Sequence, residues 1–142
     1  MDLGIQGKVA LVTGASKTIG YSIARRLGLE GARVAICARG KARLEAAARQ
    51  LEAEGITVWF RVADVTDPEQ VRGLIAGVIE TYGQLSILVN TPGGWIKPGP
   101  FSAIAPEDWI QGMKVNMLSV ISVLTSTVAH RRARIPGPTC RD

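Results

Sequence analysis

Four short apolar runs alternate with helical repeats along this chain, and that alternation constrains the fold more than any single motif. The runs are "KVALVT" (residues 8–13), "ARVAIC" (32–37), "TVWFRV" (57–62) and "LSILVN" (85–90). The first, second and fourth have no solvent face and so belong in a parallel sheet covered on both sides, and "TVWFRV" reads as a strand by its β-branched and aromatic content. Between the runs the period changes to that of a helix. Over about 19–30, Ile19, Ile23, Ala24 and Leu27 share one side; over 41–54, Leu44, Ala47, Ala48 and Leu51 do; after Pro68, Val71, Leu74, Ile75, Val78, Ile79 and Tyr82 do. Asp67 before Pro68 is a helix start, and Gly31, Gly55 and Gly83 stand where helices stop. A last long helix from near Pro106 is expected to turn Trp109, Met113, Met117, Val120, Ile121 and Leu124 inward. Right-handed crossovers then give an α/β, doubly wound parallel sheet with helices on both faces.

Composition agrees with one folded unit. The chain has 142 residues, 46% hydrophobic and 20% charged, enough for a single core and too few for two ordinary ones. After Val128 the period stops, so the expected division is an incomplete domain over 1–128 and a basic, unpacked tail over 129–142. The net charge of +5 is concentrated in that tail, and no recognition motif accompanies it, so no nucleic-acid partner is expected. No continuous apolar run approaches the roughly 20 residues of a membrane span and no secretory signal opens the chain, which predicts no membrane partner and a cytoplasmic location. Cys37 reads as a core thiol. Cys140 and His130 fall in the tail, His130 as a solvated residue, and neither builds a metal site.

The stretch "VTGASKTIG" (12–20) follows the first run and opens the first helix. Free N–H groups and the positive helix end converge there, which suits a pyrophosphate, although Gly14 and Gly20 also serve as plain turn residues. About 20 residues on, an acid would bind ribose hydroxyls, but Arg39 stands there instead. Its planar fork suits a 2′-phosphate, with Lys17 as a second charge; the alternative is that both are solvated surface cations.

"TGASKTIG", "ADVTD" (63–67), "LVNTPGG" (88–94) and "VNMLS" (115–119), in that order, resemble the short-chain dehydrogenase/reductase family over about residues 4–128. The resemblance implies a Rossmann-type doubly wound parallel sheet, truncated here after four strands and the following long helix. It implies an oxidoreductase that reduces a carbonyl or oxidises a secondary alcohol, with NADP(H) preferred over NAD(H) and a homo-oligomer in full-length form. Gly14, Ser16, Lys17, Thr18, Ile19 and Gly20 would line the phosphates and ribose, Arg39 with Lys17 favouring NADPH. Asp64 and Val65 would hold the adenine, Asn90 and Gly93 the turn beside the ribose. Asn116 would have a supporting role in the proton relay.

Three departures qualify that picture. Thr18 stands where a glycine is usual, which is expected to reduce affinity, with tolerance if the residue keeps φ below zero. Thr91 and Pro92 replace two residues of the usual NNAG, reshaping that turn. The catalytic serine and Tyr-x-x-x-Lys pair are absent: Tyr21 is followed four residues later by Arg25 and Tyr82 by Ser86, so both tyrosines read as packing residues. With no fifth strand in the sequence, "LSILVN" is expected to be an open sheet edge and the last helix to expose an apolar patch. The change of composition after Val128 fits a shifted reading frame or a shortened chain. Two functions remain: the cofactor-binding part of an NADPH-dependent reductase, inactive alone, or a non-catalytic nucleotide-binding module that pairs with another subunit. Trp95, Ile96 and Phe101 are candidates for a substrate wall, or simply pack their loop.

Overall fold

The computed structural model describes residues 3–94 and 97–132. Four parallel strands, β1 (Val9–Thr13), β2 (Arg33–Ala38), β3 (Val58–Val62) and β4 (Ile87–Asn90), lie in the order β3-β2-β1-β4. Helices α1 (Thr18–Leu29), α2 (Lys41–Ala53) and α3 (Pro68–Tyr82) connect them. The expected doubly wound α/β architecture is present, and the pleat explains it residue by residue. Val9, Leu11, Ala35 and Cys37 point to the face covered by Val71, Leu74, Ile75 and Val78 of α3. Their neighbours Val12, Val34 and Ile36 point to the other face, under Ala24 of α1 and Leu44, Ala47, Ala48 and Leu51 of α2. β1 is wholly buried because it has a strand on each side, Leu11 lying between Ala35 and Leu88.

Local chemistry sets the helix ends. Asp67 caps α3, its Oδ1 accepting the Glu69 N–H at 2.9 Å and the Gln70 N–H at 3.4 Å, and Gly83 closes the helix at φ +76°. Tyr82 packs as expected: its hydroxyl donates to the Val34 carbonyl at 3.3 Å and the Arg33 guanidinium lies 5.3 Å from its ring centre. Tyr21 packs against the core beneath α1 and α2.

Beyond β4 the chain forms a short 3-10 turn (Phe101–Ala103) and then one long helix in three segments: α4 (Pro106–Met113), a π-helical turn (Lys114–Leu118) and α5 (Ser119–Arg132). Its inward face differs from the expected one. Val123 is fully buried with Ser119 and Thr127, whereas Met113, Met117, Ile121 and Leu124 are exposed; Trp109 and Val120 are half-buried. The physical reason is size and self-satisfaction. Ser119 and Thr127 donate their hydroxyls to the carbonyls four residues back, Val115 at 2.6 Å and Val123 at 2.8 Å, so a slim face with its polar atoms satisfied approaches α3. Ile110, Met113, Met117, Ile121, Leu124 and Val128 are left as an outward apolar stripe. Ile19 is a second correction: it is 70% exposed at the start of α1 rather than packed beneath it, because the helix begins at the edge of a cleft.

The helix Pro106–His130 contains an 18-residue window of mean hydropathy 1.3 and is long and apolar enough to cross a membrane by length and composition alone. Reading for continuous apolar runs misses this, because Ser122, Thr125, Ser126 and Thr127 interrupt the run without adding charge. Among the described residues β4 is an open sheet edge, as expected, and is half-buried along its length; β3 is the other edge and is the more exposed, with Phe60 and Val62 facing out. The helix continues to Arg132, past the point where the apolar period stops. His130 therefore lies on α5 rather than free in solvent, its Nε2 shielded and without a hydrogen-bond partner among the described residues. Trp95, Ile96 and Cys140 lie outside the described residues.

Candidate functional site

At the carboxyl ends of the strands, where the order reverses between β1 and β4, lies a cleft of ≈ 1510 Å³. Its floor is the turn from β1 into α1, pressed against the turn after β4. A Cβ on Gly14, at φ +70°, would fall 2.5 Å from the Thr91 carbonyl oxygen; one on Gly20 would fall 2.5 Å from Thr91 Oγ1 and 2.7 Å from the Gly14 oxygen. Only glycine permits that approach. Thr91 locks it, donating its hydroxyl to the Thr13 carbonyl at 2.5 Å. The Thr13 hydroxyl in turn lies 3.3 Å from Asn90 Oδ1.

Ser16, Lys17, Thr18 and Ile19 line the cleft above this floor, at the uncapped start of α1. Thr18 has φ +49°, the sole positive φ outside glycine among the described residues. The condition under which threonine would be tolerated there is therefore not met: the backbone takes the left-handed conformation that suits glycine.

The β2 and β3 ends supply the opposite wall. Arg39, Gly40 and Arg43 face Ala63, Asp64, Val65 and Thr66. Burial penalises the Asp64 carboxylate, but the Thr66 N–H and hydroxyl, at 2.9 and 2.7 Å from Oδ1, and the Arg39 charge outweigh that penalty and hold its pKa below the usual range. Val65 is buried in the core beneath. Cys37 is the core thiol expected: burial pushes it up to about 12, a poor nucleophile at neutral pH.

Asn116, in the π-helical turn, joins the last helix to the loop after β4. Its Nδ2 donates to the carbonyls of Gly94 at 3.1 Å and Gly112 at 2.8 Å, and its Oδ1 accepts the Gly94 N–H at 3.3 Å. Gly93 lies alongside, 3.7 Å from Oδ1 at the position of a Cβ.

The cleft thus brings together Gly14, Ser16, Lys17, Thr18, Ile19, Gly20, Arg39, Asp64, Val65, Gly93 and Asn116. Asn90 sits one step away, paired with Thr13 in the sheet, and does not line it. Arg43, Thr66, Lys97, Ile104 and Val115 line it without having been singled out. Arg43 had a signal, four residues after Arg39 at the start of a helix; the others depend on tertiary placement. Phe101 is 78% exposed and meets Trp109 with ring centres 5.5 Å apart and planes tilted by 54°, and it does not line the cleft.

Residues 8–137 match the short chain dehydrogenase family. A ketoacyl reductase assigned to the granaticin polyketide synthase of Streptomyces violaceoruber is 44% identical over 133 residues, covering 89% of this chain and 48% of that protein. Among solved structures, an actinorhodin polyketide ketoreductase with NADPH superposes at a TM-score of 0.81 with 38% identity, over 85% of this chain and 46% of that one. A metagenomic short-chain oxidoreductase in complex with NADP superposes at 0.83 with 32% identity, over 91% and 58%. The chain spans about half the length of the curated relatives it matches.

Proposed function

Because the chain belongs to the short-chain dehydrogenase family, we propose that its cleft holds a nicotinamide dinucleotide, NADP(H) in preference to NAD(H), as the cofactor-binding part of an oxidoreductase acting on a carbonyl or secondary alcohol. The observation that carries this reading is the junction of the two turns. Gly14 and Gly20 clear side chains from the floor while the uncapped first turn of α1 opens into the same cleft, which is a cradle for a pyrophosphate. NADP-bound and NADPH-bound neighbours of the same fold support it.

In this reading Ser16, Lys17 and Ile19 border the phosphates and ribose. Asp64, kept ionised, accepts the adenine amino group, with Val65 beneath the ring. Arg39 meets the 2′-phosphate. Gly93 lets the cofactor approach the turn after β4, and Asn116 fixes that turn, with a supporting role in the proton relay only where the catalytic tyrosine and lysine are also present. The bound cofactor supplies hydride exchange with the carbonyl carbon. Proton exchange at the carbonyl oxygen needs a phenol with its pKa lowered by a nearby lysine, and no Tyr-x-x-x-Lys occurs in residues 1–142. The chain alone is accordingly a binding part without turnover.

Arg39→Asp tests the cofactor choice. Titrated with each cofactor, the variant is expected to lose roughly tenfold or more in NADPH affinity and to keep or improve NADH binding; equal loss for both refutes the role of Arg39. NADPH consumption with a panel of ketones tests the second half, since turnover above an enzyme-free control refutes inactivity. A second reading, a non-catalytic module that pairs with another subunit, is favoured by the open β4 edge and the apolar stripe from Ile110 to Val128.

A further inference from the structure

Among the described residues four cations line the cleft, Lys17, Arg39, Arg43 and Lys97, against a single acid, Asp64. Arg39 makes no ion pair with Asp64, although its charge helps to hold that carboxylate ionised. Arg43 stands in the first turn of α2 and opens onto the same cleft. It makes no ion pair or hydrogen bond among the described residues. Three helix arginines away from the cleft are engaged, Arg25 with Glu54, Arg26 with Glu30, and Arg72 with Glu69, whereas Arg49 of α2 has no partner among the described residues but does not line the cleft. Even Lys41, two residues before Arg43, reaches Glu45 at 3.9 Å. Gly40, between Arg39 and Arg43 in the chain, carries no side chain, and a Cβ placed on it would meet nothing within 4 Å.

A second uncommitted guanidinium four residues after Arg39 in the same cleft is suited to receive a dianion, because the planar fork matches phosphate oxygens and no acid pairs with it among the described residues. Resting on the NADP(H) reading above, we infer that Arg43 is a specificity-determining residue. It meets the 2′-phosphate from the α2 side while Arg39 meets it from the β2 side.

Direct titration of the 142-residue chain with NADPH, NADH, 2′,5′-ADP and 5′-AMP tests this. Arg43→Ala is expected to weaken NADPH and 2′,5′-ADP by roughly tenfold or more and to leave NADH and 5′-AMP unchanged. Arg43→Lys restores only part, since an ammonium keeps the charge and loses the fork. Arg43 is exposed, and an unchanged melting curve for each variant confirms that folding is intact. Equal loss for NADPH and NADH would place Arg43 against the adenosine or the pyrophosphate and overturn the assignment. No loss for either, while Arg39→Ala still separates the two cofactors, would overturn it for Arg43 alone. The dinucleotide reading fails separately, in the unaltered chain, if that chain binds neither cofactor or does not prefer NADPH.

Discussion

Replacing Thr18 with glycine should stabilise the protein, an unusual expectation for a glycine introduced at a helix start. Thr18 sits at φ +49° with its side chain exposed, so the substitution removes no core contact. Holding a residue with a Cβ in the left-handed region costs roughly 1–2 kcal/mol, and β-branching does not ease it. Against this, glycine gives the unfolded chain more freedom, a cost of about 0.4–1 kcal/mol. The balance is a gain of about 0.5–1 kcal/mol, or roughly 2–4 °C in melting temperature for a chain of this size. Thermal melts followed by circular dichroism, with urea titrations at fixed temperature, measure it. Asparagine, which tolerates the same conformation, should fall between glycine and threonine, and alanine should gain little. A glycine variant no more stable than the parent, or an alanine variant equal to it, would refute backbone strain as the reason. The glycine variant should also bind NADPH more tightly, because the Thr18 side chain lines the cleft.

Other substitutions probe other levels of the structure. Leu11→Ala, at the fully buried centre of β1, should cost about 2–5 kcal/mol, read as a lower urea midpoint. Gly20→Ala drives a methyl to 2.5 Å from Thr91 Oγ1 and should cost about 1–3 kcal/mol together with loss of dinucleotide binding; a variant that binds normally would mean the two turns separate easily. The pKa values of Asp64 and Asp67 both lie below the ordinary value of 3.8. The stability these carboxylates contribute is therefore fully present above that value and is lost as pH falls through their lower folded-state values. Urea midpoints should stay level from about pH 7 to 5 and fall below about pH 4, less steeply in Asp64→Asn. A stability that rises on acidification would contradict the assignment.

The sheet was legible in the sequence because a two-sided apolar run such as "KVALVT" has few alternative homes, and the helix stops because Gly31, Gly55 and Gly83 all adopt positive φ. The cleft was legible through Gly14, Gly20, Arg39 and Asp64, whose spacing along the chain follows the order of strands and turns. The inward face of the last helix was not. Hydrophobic periodicity assigns large apolar residues to the core, but here Ser119 and Thr127 neutralise their own hydroxyls and pack, while Met117 and Ile121 stay outside. Nor does residue type alone fix the backbone of Thr18, which follows from a turn pressed between Thr91 and α1. Arg43 was legible only through its spacing, four residues after Arg39 at the start of α2, whereas Lys97 and Ile104 reach the cleft by tertiary placement alone.

The π-helical turn at Lys114–Leu118 also governs rotational phase. The outward stripe takes two successive steps of four residues, from Met113 to Met117 and on to Ile121, which in an unbroken α-helix would carry it about 80° around the axis. A π turn closes with one residue more than an α turn and takes up much of that drift. Closing the same five residues as a plain α-helix, with none removed, would turn everything beyond them by about 100°. Ser119, Val123 and Thr127 would swing off α3 and bulkier side chains would take their place. One extra residue, in the same turn that holds Asn116 against Gly94, thus acts as a gear between the cofactor loop and the far end of the helix.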